Sequence, residues 1–573
     1  MAMETVIHRV QFCVIGGGLA GMCAAIAAAR HGVKTLIMQE RPVFGGNASS
    51  EIRMWICGSP HQLETGLVEE FRLENLYRNT YVNFSVWDSI LFEKIRFQEN
   101  LISLLNCSCM SAEMDRDRIV SVTGWQMTTQ QFHKVEADYF ADCSGDSVLA
   151  PLTGAEFRLG REAASEFGES LAQKEPDRKT MGLSCLIQAR ETSSLKKFIP
   201  PAWAYCYPDD TRLSHRPHQI AGNQNYWWME LGGEQDSIHD TEKIRDELLK
   251  VAFGIWDHIK NHGDHGADNW ILDWVGFLPG KRESRRYVGD YILNQLDVQS
   301  GGHFADTVAY GGWPIDDHHP GGLHYDGPPN ISIVPKEPYG IPLRCLYSKN
   351  IGNLWFAGRN ISTTHTGLSS TRVMATCATL GQAVGCAVSV AINHGYLSPR
   401  ETASSQIREI QNSLMDDDCY LPGFRREIPR LCCEAGLTAS AGNPEMLRNG
   451  IDRALEDETN QWTCGVGDTA EYDFGRTVAL HEIRLVFDSS LKQRPRFNCV
   501  ANYWLDGKIF APPATLVSAF EILADGQVIH RTENNYQRLV KIPVDLQARK
   551  LTLRILRFSG QDAAGGIFAF DAR

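Results

Sequence analysis

The sequence predicts a mixed α/β chain in which a doubly wound nucleotide-binding domain is split by an inserted α+β lobe and followed by a β-sandwich. Three observations carry that prediction. Near the N-terminus an apolar run, Val10–Ile15, meets Gly16-Gly17-Gly18 and then an Ala-rich segment. Far downstream, Asn353–Gly358 again runs from an apolar strand into a glycine turn. Beyond about residue 450 the apolar residues alternate with period two, the mark of half-buried strands.

The elements follow in order. Leu19–Arg30 reads as a helix stopped by His31-Gly32, and Val33–Met38 as the next strand, so one βαβ unit fills about thirty residues. Glu64–Asn75 reads as a helix with Thr65 as its cap. Strands return between Leu101 and Asp142, with turns at Arg116-Asp117-Arg118 and Thr128–Gln131, and the last ends in Asp142-Cys143-Ser144-Gly145-Asp146. The Trp-rich stretch that follows (Trp203, Trp227, Trp228, Trp256, Trp270, Trp274) reads as the inserted lobe. A single long helix is expected from Leu368 to Asn393. Expected domain limits are 8–156 and 310–395 for the split nucleotide-binding domain and 157–309 for the lobe. A connection over 396–449 and a sandwich over 450–573 complete the chain. Sandwich strands are expected at Glu482–Phe487, Phe520–Leu523, Gln527–His530 and Lys550–Leu556.

Composition narrows the function. With 56 basic and 69 acidic residues the net charge is −13, which argues against a nucleic-acid partner. The longest apolar stretch, Cys377–Asn393, is rich in Ala, Gly and Val and reads as a buried helix, so no membrane partner is expected. The first ten residues lack an apolar signal core. Sixteen cysteines in 573 residues are too sparse for a disulfide scaffold, and Cys107-x-Cys109 and Cys432-Cys433 lack zinc-ligand spacing. A cytoplasmic protein with reduced thiols and no metal site is the expectation.

Gly16-x-Gly18-x-x-Gly21 supplies the chemistry of a dinucleotide site. Its glycines let backbone approach a pyrophosphate, whose charge meets the start of the helix at Leu19 and Ala20. Glu40 ends the second strand nineteen residues past Gly21, placed to accept ribose hydroxyls. Later turns at Gly145-Asp146 and Gly358-Arg359 suit returns to the same nucleotide.

Such dispersed returns resemble the FAD-dependent oxidoreductases of the glutathione-reductase-type superfamily. The strings Gly45–Ser49, Glu64–Glu70, Thr153–Arg158, Arg282–Arg286 and Ala309–Pro314 are similar to a bacterial family described as FAD-dependent oxidoreductases, over roughly residues 8–425. The resemblance implies FAD and a Rossmann-like domain of the glutathione-reductase type; the flavin is read as non-covalent, with linkage to a His or Cys left open. It implies cofactor contacts at Gly16, Gly18, Leu19, Ala20, Gly21, Glu40, Arg41, Gly46, Asn47, Ala48, Ser49, Gly145, Asp146, Gly358 and Arg359. The C-terminal stretch resembles discoidin-like, galactose-binding modules through Tyr472–Gly475, Asn534–Arg538 and Ala548–Leu553.

No second glycine fingerprint marks a nicotinamide domain, and Gly46–Cys57 holds one cysteine where a redox pair would stand, so Cys57 reads as a structural thiol. Direct hydride exchange between a small-molecule substrate and flavin is left. Histidine suits the accompanying proton transfer. The candidates are His303, His318, His319 and His365, with His365 favoured because it joins the Gly358 strand to the long helix. Arg372 could hold an anionic group or the flavin carbonyl. Arg282, Glu283, Arg285 and Arg286 read as structural ion pairs. Asp316-Asp317-His318-His319 offers carboxylates and imidazoles to a metal, but the reading adopted assigns it none. The expected reaction is oxidation of a secondary alcohol of a sugar, glycoside or related polyol. Alternatives are reduction of an activated C=C bond, or a carbohydrate-binding or assembly protein with a structural flavin. The electron acceptor stays open, and the chain is compatible with a homo-oligomer.

Overall fold

The computed structural model describes every residue except 1–2, 61–62, 221–223, 457, 492–501, 508 and 562–563. Its organising element is a parallel sheet of five strands. These are β1 (Phe12–Ile15), β2 (Thr35–Met38), β3 (Leu101–Leu104), β4 (Tyr139–Asp142) and β5 (Leu354–Phe356), in the order β3-β2-β1-β4-β5. The chain therefore winds outward from β1 through β2 and β3, then returns to β1's other side. A crevice opens at the carboxyl ends where that direction reverses, between β1 and β4. Strands β1, β2, β4 and β5 are buried throughout. That is why they read as continuous apolar runs rather than alternating ones.

Helix α1 (Leu19–Arg30) connects β1 to β2 and is buried from Leu19 to Ala29. Helix α2 (Phe84–Arg96) precedes β3, its first turn capped by the Asn83 side chain accepting the Val86 N–H. The expected long helix is two: α3 (His365–Thr371) and α4 (Met374–His394). Val373, with φ −69° and ψ 145°, is extended at the break. A Cβ at Gly381 would lie 1.9 Å from the Ala20 carbonyl oxygen, and one at Gly385 2.4 Å from that of Ala24. Backbone-to-backbone contact between α1 and α4 thus explains their Ala and Gly content. Helix α4 is long and apolar enough to cross a bilayer, with mean hydropathy 1.6, yet 94% of that window is buried within the chain.

A second sheet, mostly antiparallel, runs Thr5–Arg9, Gln131–Glu136, Arg118–Gln126, Cys107–Asp115, with the unforeseen N-terminal strand parallel on its edge. The Trp-rich stretch builds a core in which Trp228 and Trp270 share one cluster with Trp256 of the helix Thr241–Asn261.

Contacts divide the chain into two units. The first comprises Met1–Pro60, Tyr81–Ile410 and Arg496–Lys508; the second comprises His61–Thr80, Gln411–Pro495 and Ile509–Arg573. This grouping differs from the five expected segments. The helix Leu67–Arg78, expected within 8–156, belongs to the second unit because its Leu73 joins that unit's core. The Trp-rich stretch is not separated from the parallel sheet. Thr65 does not cap that helix: Gly66 holds the N-cap position, and the Thr65 hydroxyl donates to the Asp418 carbonyl.

The second unit is built on long antiparallel strands, β6 (Thr469–Phe487), β7 (Val517–Ala524), β8 (Leu539–Phe558) and β9 (Gly565–Ala572). Register shifts between Asp473 and Val478 and between Leu480 and Glu482 interrupt β6, and such bulges bend a strand. The sheet encloses Trp462, Tyr472, Phe487, Phe520 and Phe570 as a sandwich core. Asp416, Asp417 and Asp418 are not a bare connection. Arg484 pairs with Asp416 at 3.4 Å and Asp452 at 2.8 Å, Lys541 with Asp417 at 2.8 Å, and Arg538 with Asp418 at 2.7 Å.

Candidate active site

The crevice begins with two glycine turns that touch. Gly16 has φ +99°, and a Cβ there would lie 2.5 Å from the Cys143 and Ser144 backbone. A Cβ at Gly21 would lie 1.8 Å from the Gly16 oxygen, so both positions exclude any side chain. Gly18 differs, because its nearest neighbour is the Gly46 Cα at 3.9 Å, leaving its backbone open. The Gly45 N–H donates to the Gly17 oxygen at 2.8 Å, and the Gly17 N–H donates to Gln39 Oε1 at 2.7 Å. Gly18 is the N-cap of α1; no side chain caps it and its first turn carries no acid. Positive helix-end charge is thereby left for an anion. Glu40 is exposed just past β2, 3.6 Å from Arg41. Ala48 and Ser49 turn inward: the Ala48 oxygen accepts the Trp87 indole N–H at 2.9 Å, and Ser49 Oγ donates to Gly46 at 2.8 Å.

The late turns carry charge. Asp146 accepts from Lys281 at 2.7 Å, Ser284 at 2.7 Å and Arg359 at 2.5 Å. Burial works against its charge, but Arg359 and Lys281 hold its carboxyl down at about 2. Both Asp146 oxygens are engaged, Oδ2 by Lys281 and Oδ1 by Ser284 and Arg359, so the charge at this turn is compensated within the chain. Arg359, also bonded to the Gly145 oxygen at 3.1 Å, keeps a buried Nε with no hydrogen-bond partner among the described residues. Gly358 has φ +116°, the left-handed region that glycine tolerates.

A cavity of about 290 Å³ adjoins these turns. Asn47, Lys281 and Arg359 line one part, and Trp55, Trp227, Trp313, Asp316, His318 and Arg372 another. The break between α3 and α4 sets Arg372, Val373 and Met374 on its wall. Arg372 donates from Nη2 to the Asp316 backbone oxygen at 3.0 Å and its carboxylate at 3.1 Å, while its Nε is buried without a partner among the described residues. His318 has Nδ1 2.6 Å from Glu230 Oε2 and Nε2 3.5 Å from Asp316 Oδ2, with Trp227 edge-on at 5.1 Å. Burial opposes the charge of Glu230, but Arg282 and then His318 hold its carboxyl below the usual range. His318 and Arg372 pull Asp316 down likewise against burial.

His365 is not in this cavity. Its Nδ1 lies 2.9 Å from Glu283 and its Nε2 3.0 Å from Asp317, and the ring is only 4% exposed. Burial disfavours its charge, yet Glu283 and Asp317 overcome that and raise it to about 10. A histidine with both nitrogens occupied and a proton held at neutral pH cannot serve as a base. The favoured assignment is corrected: His365 is a buried imidazolium in an ion network that includes Arg286 and Glu162, paired at 2.7 Å. His319 is also elsewhere, exposed and stacked on Tyr325 at 3.6 Å. His303 sits at the surface 3.9 Å from Glu337.

Period-two geometry explains this sorting. Ile315–His318 is a strand paired with Asn330–Ile333, so Asp316 and His318 face the cavity while Asp317 faces His365. That alternation was available in the sequence. Arg282 was readable only as part of an ion pair, and Lys281, Trp55, Trp313 and Glu230 had no local signal. Arg282 donates to the Trp227 oxygen at 2.8 Å and to Ser184 Oγ at 2.9 Å on the cavity wall. Cys57 is buried and lines the same wall.

A family model described as FAD dependent oxidoreductase matches residues 11–414. The chain belongs to that family. It is an FAD-dependent oxidoreductase, with FAD as its cofactor. No curated protein matches the chain. A solved structure of a geranylgeranyl bacteriochlorophyll reductase-like protein from Thermoplasma acidophilum is 11% identical. That match covers 72% of this chain and 86% of its own, with TM-score 0.31. The family 32 carbohydrate-binding module of Streptococcus pneumoniae EndoD is 12% identical over 24% of this chain and 97% of its own, with TM-score 0.19. Likenesses this slight do not bear on what the oxidoreductase acts upon.

The residues present fit FAD. The open Gly18 backbone, the uncapped start of α1 and the unpartnered Arg359 Nε supply what a pyrophosphate needs. The cavity at their end offers a partly apolar chamber for a ring system.

Proposed function

We propose that this oxidoreductase oxidises a secondary alcohol of a carbohydrate or related polyol, with His318 taking the hydroxyl proton. The observation that carries it is the placement of His318, the one candidate histidine on the cavity wall, with Nδ1 2.6 Å from Glu230. An Nδ1–H donated to that carboxylate leaves Nε2 with the lone pair a base needs. Asp316 beside Nε2 would then steady the imidazolium. Trp55, Trp227 and Trp313 supply apolar faces, and Asp316, Asn330 and Arg372 supply polar groups at their edges, a combination suited to sugar rings.

FAD, when bound, supplies the hydride acceptor. Within this proposal Gly16, Gly18, Leu19, Ala20 and Gly21 hold its pyrophosphate and Glu40 its ribose. Arg41, Gly46–Ser49, Gly145, Asp146, Gly358 and Arg359 border the rest. The sheet order supports placing the chain with the glutathione-reductase type, the Trp-rich stretch acting as the inserted substrate lobe.

A second reading rests on the four cations around the cavity, Lys281, Arg282, Arg359 and Arg372, which favour an anionic substrate. In it a carboxylate-bearing C=C bond is reduced, with Arg372 holding the carboxylate. Anaerobic flavin spectroscopy separates the two. Sugar or polyol oxidation requires loss of the oxidised-flavin absorbance with a member of that class. His318→Asn should retain FAD and slow this reduction by ~10²–10⁴-fold. An unchanged rate in that variant would remove His318 from the chemistry. No response to sugars, with reoxidation of prereduced flavin by enoates, would establish the second reading instead.

A further inference from the structure

Outside the cavity, three buried imidazoles and one carboxylate converge: His218, His258, His265 and Asp210, each offering a ligand atom within 4.8 Å of the others. Asp210 Oδ1 is 3.0 Å from His258 Nε2 and 3.3 Å from His218 Nε2. Tetrahedral zinc with bonds of 2.0–2.1 Å sets its ligands about 3.3 Å apart, so these spacings already suit one ion. The rings meet at centroid distances of 4.7 to 5.0 Å.

The far nitrogens are held as metal-binding histidines are held. His258 Nδ1 lies 2.8 Å from the Tyr207 carbonyl and His218 Nδ1 2.6 Å from that of Arg216. A neutral ring that donates Nδ1–H to a carbonyl must present its Nε2 lone pair, and both Nε2 atoms lie against Asp210. His265 Nε2 lies 3.1 Å from the His262 carbonyl, which leaves Nδ1 as its lone-pair atom; the Gln219 amide now donates there at 3.1 Å. Two Nε2 lone pairs gathered on one carboxylate, with the Nδ1 lone pair of a third ring beside them, form a donor set that a shared cation satisfies.

We propose that Asp210, His218, His258 and His265 form a zinc site. Three nitrogens and one oxygen close a four-coordinate shell, so the centre is structural rather than catalytic. It ties the segment carrying Asp210 and His218 to the end of the helix Thr241–Asn261, which carries His258, and to the loop beyond it. That segment also holds Arg216, which donates to the carbonyls of Gly327 at 2.6 Å, Gly322 at 3.0 Å and Tyr325 at 3.2 Å. Those carbonyls lie in the turn joining Ile315–His318 to Asn330–Ile333, so the zinc centre braces the hairpin that presents His318.

The test is elemental analysis of the purified FAD-loaded enzyme, before and after chelation and refilling with zinc chloride alone. About one zinc per chain is expected, and X-ray absorption should show a nitrogen- and oxygen-only shell at about 2.0–2.1 Å with imidazole scattering. A His218→Ala/His258→Ala double variant should hold less than about a tenth of that zinc, while His303→Ala should keep it. Should the double variant fail to fold, the stripped wild-type enzyme decides: zinc chloride should raise its thermal midpoint and be competed off by a chromophoric chelator. A wild-type enzyme that neither carries nor takes up zinc would overturn the proposal. So would full zinc content in a folded double variant.

Discussion

Removing the His365 ring tests the buried ion network directly. A rise from the ordinary 6.5 to about 10 corresponds to about 5 kcal/mol of preference for the protonated form in the folded state. Because the folded value is raised, this stability is fully present below pH 6.5. It declines through the interval above, and is gone once pH exceeds about 10. His365→Gln keeps a hydrogen-bonding side chain but leaves Glu283 and Asp317 without their shared cation, a loss of roughly 3–5 kcal/mol for a broken buried pair. Urea unfolding of wild type and variant at pH 6, 7.5 and 9 measures the difference. That difference should be flat up to about pH 6.5 and shrink by about 1.4 kcal/mol per pH unit from there to pH 9. Flavin reduction by substrate in the folded variant should remain within a few-fold of wild type. A pH-independent difference, or a variant that is fully stable but cannot reduce flavin, would refute the assignment of His365 as a structural imidazolium.

Other outcomes follow from the same geometry. Glu230→Gln removes the carboxylate that orients His318 and should lower the rate of flavin reduction by ~10²-fold or more, read by stopped-flow absorbance. Asp146→Asn releases Lys281 and Arg359. Since the Asp146 carboxyl is held at about 2, its stabilising contribution is present above pH 3.8 and is lost as pH falls through about 2. The variant should therefore be weaker than wild type at pH 7 and converge with it toward pH 2 in urea titrations. Gly381→Ala, whose Cβ would meet the Ala20 oxygen at 1.9 Å, should cost about 1–3 kcal/mol by thermal unfolding. Arg484→Met removes one of the two guanidinium groups on Asp452 and Asp571, leaving Arg426 at 3.0 and 2.7 Å, and should destabilise the second unit by about 1.5–3 kcal/mol in the same assay.

Local patterns announced the frame of the molecule. Gly16, Gly18 and Gly21 could be identified because each stands where a strand passes into a helix, and the close approaches measured at Gly16 and Gly21 are the reason for them. The sandwich strands could be identified because half-buried strands alternate. Less legible was α4's starting point: nothing in Leu368–Met374 marks the break at Val373, next to which Arg372 bonds Asp316 some 56 residues earlier in the chain.

The sequence by itself determined the nucleotide-binding βαβ unit, the late turns at Gly145 and Gly358, and the strand-rich C-terminal region, since these depend on periodicity and backbone freedom within a few residues. Tertiary structure decided the chemistry. His365 and His318 are the same side chain in similarly polar, turn-like stretches. One became a buried cation because Glu283 and Asp317 close on both its nitrogens at 2.9 and 3.0 Å, the other a candidate base because Glu230 bonds Nδ1 at 2.6 Å while Asp316 stands off Nε2 at 3.5 Å. Those partners lie 48 to 88 residues away along the chain. Charge state depends on which carboxylates surround a ring in three dimensions, and no spacing within the sequence records that.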